Sequence, residues 1–459
     1  MRETPAPTVY SPPNPTLSDG RSPSASAEWL QRSFRAVWHP CTQMKQHETL
    51  PLVPVARGEG AWLYDFDGRR YLDAVSSWWV NLFGHANPRI RAAIAAQLEE
   101  LEHVMLAGFT HRPVIELSER LAALAPGQLG HAFYGSDGAS ATEIALKMAF
   151  HYWKNLRRPA KTLYLSVAGA YHGETLGALA VTDVPIFRDT YFPLLNRNMI
   201  VPSPDARGAR PGESPRDVAI RAAAALEEVL ERNHATIAAF IVEPLVQGAS
   251  GMAMHDPYYL TLARGLCTRY GVLLIADEIM TGFGRTGAMF ACDEAGIAPD
   301  MICLSKGITG GYLPLSCVLS TDEIYAAFYA DGTDRAFLHS HSYTGNALAC
   351  AAALAVLDIF LADDVVAGNR AKAARWTELA APLAQHPKVR NFRHRGMIWA
   401  FDVETDRAGF ARWCFAEGLA RELLLRPIGR TVYFMPPYIL TDDEFTMLVA
   451  RTCDILEHA

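Results

Sequence analysis

Two short apolar runs in this 459-residue chain end in residues that can share one piece of chemistry. VLLIA, from Val272, ends in Asp277 and Glu278; MICLS, from Met301, ends in Lys306 and the flexible GITGG, Gly307 to Gly311. Ligands of open parallel sheets collect at the carboxyl ends of the strands, so this acid and this amine face one crevice. The chain between them is long enough for a loop and a return strand. Position alone leaves Lys306 equally open to a plainer reading, a solvated lysine after a strand, because charged side chains are mostly exposed.

Three further segments narrow the choice. GSDGAS, Gly135 to Ser140, leads into the helical run ATEIALKMAFHYW. Small residues at a helix start leave backbone N–H groups free for a phosphate, although an ordinary capping turn has the same composition. AYHGET follows the run TLYLSV and carries Tyr171, which either covers the face of an aromatic ring or is simply buried. AAFIVEP ends in another acid, Glu243. Together these parts meet the needs of pyridoxal 5′-phosphate: a lysine to condense with the aldehyde, an acid to keep the pyridine nitrogen protonated, and amides for the phosphate. Once displaced by substrate, the Lys306 amine is free to carry a proton between the substrate α-carbon and the cofactor C4′, the shift that transamination requires.

Two competing motifs fail on context. Gly282, Gly284 and Gly287 in GFGRTG satisfy the dinucleotide fingerprint G-x-G-x-x-G. DEIMT intervenes between strand and glycine, AMFACDEAGIAP is a poor helix, and no acid ends a second strand about twenty residues on. Arg285 in this loop is either a structural salt-bridge partner or part of a pocket floor, with structure preferred. His339 and His341 have no carboxylate or cysteine at ligand spacing, so no metal is expected; Ser342 and Thr344 nearby offer hydroxyls.

The elements that must position these residues are legible as periodicity. TLYLSV, AAFIVEP, VLLIADE and MICLSK are apolar throughout and too short for helices, which predicts strands buried on both faces. Ala-rich stretches such as Asp217 to Asn233 and Pro257 to Tyr270 have crossover length. The expected architecture is α/β, a mostly parallel central sheet flanked by helices, with a smaller α+β domain formed by the N- and C-terminal parts. Alternation around Asp67-Gly68 predicts a hairpin in the small domain. A long helix is expected from near Asp363 through Leu383, then hairpin strands over Val389 to Val403 and a last helix from Asp442. The boundaries are a disordered tail over 1–30, small-domain segments over 31–85 and 361–459, and a large cofactor-binding domain over 86–360.

Bulk composition agrees. A formal charge of -7 gives no basic footprint for nucleic acid or an anionic membrane. Eight scattered cysteines lack any C-x-x-C pair and read as reduced apolar fillers. The Pro- and Ser-rich opening is not a secretory signal, and no run of about eighteen apolar residues occurs, so the cytoplasm is the default.

ADEIMTGFGRTG around Asp277, LSKGITGG around Lys306 and AYHGET around Tyr171 resemble the class III, fold-type-I PLP aminotransferases from about Trp38 to the C-terminus. SSWW (Ser76 to Trp79), WHPCTQM (Trp38 to Met44) and RPIGRTVYFMPPY (Arg426 to Tyr438) resemble the branch of that class that serves biotin biosynthesis. The resemblance implies a homodimer with active sites at its interface. It implies amides of Gly138 and Ala139 on the phosphate, with the Ser342 hydroxyl from the other chain, Tyr171 stacked on the ring, Asp277 on its nitrogen and Lys306 bonded to it. On the substrate side it implies Trp78 and Trp79 as walls, with Tyr171, Lys306 and Ser340 beside them and Arg426 on the keto-acid carboxylate. Without it, the tryptophans are equally core and Arg426 equally a surface residue. The implied reaction converts 8-amino-7-oxononanoate to 7,8-diaminononanoate with S-adenosylmethionine as donor; the alternative is a class III enzyme for ω-amino acids or diamines. Cys41 departs from the pattern, standing where an aromatic residue is common. The change enlarges that side of the pocket and bears on whether the donor is S-adenosylmethionine or, as in some relatives, lysine.

Overall fold

A computed structural model describes residues 24–50 and 52–459. Its centre is a seven-stranded sheet of β1 (His131–Gly135), β2 (Leu163–Val167), β3 (Met199–Val201), β4 (Ile237–Val242), β5 (Leu273–Asp277), β6 (Met301–Leu304) and β7 (Ser316–Ser320). The spatial order is β1-β7-β6-β5-β4-β2-β3. β7 runs antiparallel to both β6 and β1, and the remaining pairs are parallel. Every residue of β4, β5, β6 and β7 is buried, as strands covered by helices on both faces require.

The crossovers are well delimited. Helix Pro215–Asn233 starts with a capping box between Ser214 and Asp217 and a proline in its first turn. Helix Tyr258–Tyr270 ends at Gly271 with φ 61°, a left-handed cap that turns the chain directly into β5. At this amino edge of the sheet the buried Lys161 amine donates to the carbonyls of His234, Ile237 and Gly271 at 2.6, 2.9 and 2.8 Å. The opposite, carboxyl edge is left for the strand ends that carry Glu243, Asp277 and Lys306.

Smaller sheets flank this body. Strands Val55–Glu59, Trp62–Asp65 and Arg70–Asp73 form an antiparallel meander, and Leu423–Leu424 adds to it in parallel beside Arg70–Asp73. Strands Val389–Arg395, Ile398–Val403 and Thr431–Phe434 make a second antiparallel sheet, closed by the helix Asp442–Glu457.

The fold differs from expectation in four places. Of the tail expected over 1–30, residues 1–23 lie outside those described, while Ala25–Ala36 is a helix capped by Ser24. Trp29 of this helix stacks on Phe66 of the hairpin at 5.3 Å, which gives the segment an apolar partner. The helix expected through Leu383 stops at Leu379 and restarts as Ala381–Ala384, because Pro382 fits only a first turn. The helix Ala347–Ala362 was not anticipated, since it is apolar on nearly every side and lacks an amphipathic period. Finally, Ser76, Ser77, Trp78 and Trp79 have φ of 51, 46, 71 and 71°, a left-handed helical turn closed by Trp79 N–H on Val75 O and Val80 N–H on Ser76 O, both 2.9 Å.

Such a turn costs about 1–2 kcal/mol per residue. Side chains offset it. The fully buried Asp73 carboxylate accepts Ser77 N–H at 2.8 Å and Ser77 Oγ–H at 2.7 Å and faces His85 Nε2 at 3.2 Å. Ser76 Oγ donates to Met435 O at 2.7 Å. Arg285 is buried with no carboxylate partner among the described residues; it donates to the carbonyls of Pro436 (2.9 Å) and Asn81 (3.1 Å), so its role is to tie this turn to the C-terminal segment.

Candidate active site

Asp277 is the last residue of β5. One of its oxygens accepts Ile279 N–H at 3.1 Å, and the other lies 2.7 Å from Nδ1 of the buried His172. Its neighbour Glu278 points the other way, as alternation along a strand dictates. There it accepts Ala291 N–H, Cys292 N–H and Thr281 Oγ–H, at 3.0, 2.8 and 2.7 Å, and caps the short helix Ala291–Ala295. Burial pushes the Glu278 carboxyl up to about 7. Of the two acids at this strand end, only Asp277 faces the crevice.

Glu243, just beyond β4, accepts Tyr171 N–H at 3.0 Å and Gly248 N–H at 2.9 Å, which fixes the AYHGET loop against the sheet. Burial raises its carboxyl to about 7 against the pull of His172. Lys306 follows β6 after Ser305 with φ 46°, a strained left-handed conformation of the kind that gathers at active sites. Its amine lies 5.1 Å from the centre of the Trp79 ring and makes no hydrogen bond among the described residues. Burial holds the amine below the ordinary lysine range, and the charges of Asp277 and Glu243 oppose that shift.

The helix Gly138–Asn155 begins at the same place. Its cap, Asp137, accepts Ser140 N–H at 2.9 Å, and the N–H groups of Gly138 and Ala139 have no partner within the helix. A Cβ on Gly138 would stand 3.0 Å from Ile279, so glycine lets the helix start close on the segment after Asp277. At Gly173, with φ 118°, a Cβ would meet that of Ala139 at 2.7 Å, so the Tyr171 loop also closes on this helix start. The start of this helix, whose first amides have no partner within it, thus packs closely on the segments that carry Asp277 and Tyr171.

A second wall faces it. Tyr171 donates its hydroxyl to Glu174 at 2.8 Å, and the Cys41 thiol lies 3.9 Å from the same carboxylate oxygen. Burial and Glu174 raise the Cys41 thiol above its ordinary value, while the Arg426 charge lowers it. The Arg426 guanidinium carbon sits 4.6 Å from the centre of the Trp78 ring. Trp78 is 42% exposed; Trp79 is buried, with its indole N–H on Tyr433 OH at 3.0 Å. Glu174 was not singled out in the sequence, although it stands three residues after Tyr171 on the turn of AYHGET.

Ser340 and Ser342 are not brought to the crevice within one chain. Both are exposed; Ser342 O accepts His103 Nε2–H at 2.8 Å, and His339 Nδ1 faces Lys147 Nζ at 2.8 Å. Among the described residues no group of three His, Cys, Asp or Glu side chains is arranged to hold a metal.

The family model for class III aminotransferases matches residues 43–459. The chain belongs to the class III aminotransferases. An adenosylmethionine-8-amino-7-oxononanoate aminotransferase from Helicobacter pylori is 45% identical over 92% of this chain and 96% of its own. The crystal structure of the enzyme of that name from Methanocaldococcus jannaschii superposes with a TM-score of 0.88 at 33% identity, covering 94% of this chain and 99% of the other. An omega transaminase from Pseudomonas jessenii, solved in complex with PMP, gives a TM-score of 0.88 at 29% identity, covering 94% and 97%. This class III aminotransferase is PLP-dependent, and the residues present suit the cofactor: an amine without a hydrogen-bond partner among the described residues, a buried carboxylate and two amides unpartnered within their helix.

Proposed function

We propose that this class III aminotransferase moves the amino group of S-adenosylmethionine to 8-amino-7-oxononanoate, giving 7,8-diaminononanoate in biotin biosynthesis. The observation that carries the reading is the near full-length kinship, at 45% identity, with the relative of that name. The wall of Trp78, Trp79 and Arg426 supports it, because a long apolar chain ending in a carboxylate calls for aromatic sides and one distant guanidinium. No feature of the crevice favours an ω-amino acid or diamine over this substrate.

When bound, PLP supplies an electron sink for the substrate α-carbon. The chain's own residues do the rest. Gly138 and Ala139 N–H groups would hold the phosphate, Tyr171 would cover the ring face and Asp277 would meet the ring nitrogen. Lys306 would hold the cofactor and, once released by substrate, would serve as the base for the substrate carbon, its amine held below the ordinary lysine range by burial. Trp79 beside this amine keeps bulk water away. Arg426 binds the keto-acid carboxylate, and donor and acceptor use the crevice in turn. Ser340 and Ser342 complete it from a second copy of the chain, in a homodimer placed in the cytoplasm. The same reading takes 31–85 with 361–459 as one small domain beside 86–360, supported by the pairing of Leu423–Leu424 with Arg70–Asp73.

A donor screen tests the substrate assignment. The purified enzyme is mixed with S-adenosylmethionine, lysine, an ω-amino acid or a diamine, and the cofactor's visible absorbance is followed. Bleaching by S-adenosylmethionine is expected; bleaching only by another donor overturns it. Lys306→Ala should lose the band and lower turnover by at least about a thousandfold.

A further inference from the structure

The segment after Glu243 is strained. Its short strands Val246–Gln247 and Ala253–Met254 pair antiparallel around a turn, and Leu245 and Met252, neither of them glycine, have φ of 65 and 52°. This hairpin supports the Tyr171 loop at three points. Gly248 N–H donates to the Glu243 carboxylate that also accepts Tyr171 N–H. Gln247 Nε2–H donates to Ala168 O at 3.0 Å, and Ser250 Oγ–H donates to Gly169 O. The backbone from Ala168 to Tyr171 is therefore pinned on one turn.

The turn itself is held from another sheet. Arg393, on strand Val389–Arg395, donates from Nε to Met252 O at 2.9 Å and from Nη2 to Gly251 O. Its side chain is 10% exposed, and the Asp402 carboxylate on the next strand supplies the counter-charge at 3.1 Å. Thr431 donates its hydroxyl to that carboxylate at 2.7 Å, and a Cβ on Gly251 would stand 2.6 Å from the same hydroxyl, so sheet and turn are in close contact. A left-handed residue such as Met252 persists only where its surroundings over-determine it. A guanidinium bonded to its carbonyl and to the preceding one does so. Burying that charge is costly without a partner, which Asp402 provides.

We infer that Arg393 is a positioning residue for Tyr171: it locks the turn at Gly251 and Met252, and Ser250 and Gln247 carry that lock to the backbone that presents the Tyr171 ring. The link between Arg393 and the loop exists in the protein alone. Its effect on PLP binding rests on the reading of Tyr171 as the cover of the cofactor ring.

Hydrogen–deuterium exchange of the apoenzyme reads the link without turnover. In Arg393→Met, peptides spanning 168–175 should exchange about tenfold faster than in the parent, the equivalent of one lost hydrogen bond, as should those spanning 249–254. Arg393→Lys keeps a charged donor and should recover part of the protection. Arg390→Met, on the same strand but exposed and paired with Glu404, should leave 168–175 at the parental rate. Faster exchange confined to 249–254 and the strand of Arg393 overturns the inference, because Arg393 then acts only on its own surroundings. If Arg393→Met does not fold, Ser250→Ala removes the last link to Gly169 and must by itself speed exchange over 168–175; parental exchange there is equally fatal. PLP titration followed by absorbance gives the consequence for the site: binding by Arg393→Met should be about tenfold weaker. Tyr171→Ala tests the underlying reading separately. If it binds PLP with unchanged affinity and absorbance, that reading fails and the exchange data alone decide on Arg393; if it binds more weakly while Arg393→Met binds as the parent does, Arg393 does not position Tyr171.

Discussion

Trp78 and Trp79 are neighbours in the chain, yet the left-handed turn sends one indole beneath the Arg426 guanidinium and the other beside the Lys306 amine. A single strained turn thus supplies an indole to each of the two cations. Arg426→Ala should raise the KM for the keto acid by about tenfold to a hundredfold, the loss of one charge-assisted pair, while the half-reaction with the amino donor keeps its rate. Separate stopped-flow traces of the two half-reactions check this; equal losses in both count against a carboxylate role.

The turn depends on Asp73. Asp73→Ala leaves Ser77 N–H, Ser77 Oγ and His85 without their acceptor in a buried place, and stability should fall by about 2–4 kcal/mol. Denaturant unfolding measures it, and Asp73→Asn should lose less. The crevice consequence is separable: a folded Asp73→Asn enzyme should show a raised KM for the keto acid, because Trp78 moves.

His255 supplies an acid-side prediction. It is buried, and burial lowers its imidazole from 6.5 to about 4. Between those values the unfolded chain binds the proton and the native one does not, so stability is present above about pH 6.5 and lost as pH falls through 4. The swing is on the order of 3 kcal/mol. Glu243 and Glu278, both raised to about 7, act in the opposite sense over a similar window. The test is therefore a difference: unfolding free energies of His255→Phe and the parent, compared from pH 4 to 7, should converge or cross towards the acid end. Parallel curves would show that His255 does not titrate in this way.

Cys41 is the exposed thiol; Cys453 is partly covered and the other six cysteines are buried. Iodoacetamide should modify Cys41 first because it is the exposed thiol, and faster as pH rises because the thiolate is the nucleophile, the raised thiol pKa moving that rise to higher pH. Activity should fall in step, and Cys41→Ser should be resistant. Peptide mapping identifies the site, and inactivation of Cys41→Ser at the parental rate would place the sensitive thiol elsewhere.

The placement of the acids and the amine at neighbouring strand ends was legible because it is written in strands. Uniform apolar runs of strand length ended in Glu243, Asp277 and Lys306, and the sheet rule then put those ends together. Alternation could not say which of Asp277 and Glu278 faces the crevice; the caps on helix Ala291–Ala295 decide that. β3 and β7 escaped notice because one is three residues long and the other runs against its neighbours after a loop. The SSWW turn was beyond any propensity argument, since four left-handed residues without glycine persist only through tertiary contacts from Asp73, Met435 and Arg285. Glu174 was missed for a similar reason: its significance lies in joining its near neighbour Tyr171 to Cys41, which comes from a distant part of the chain.

The parallel pairing of Leu423–Leu424 with Arg70–Asp73 joins segments from before and after the large sheet. While the ribosome is still adding the middle of the chain, the meander's outer strand has an open edge and nothing to close it. A product shortened before Leu423 would keep all seven strands of the large sheet yet present that edge permanently, and its fate would be association with other chains rather than simple loss of activity.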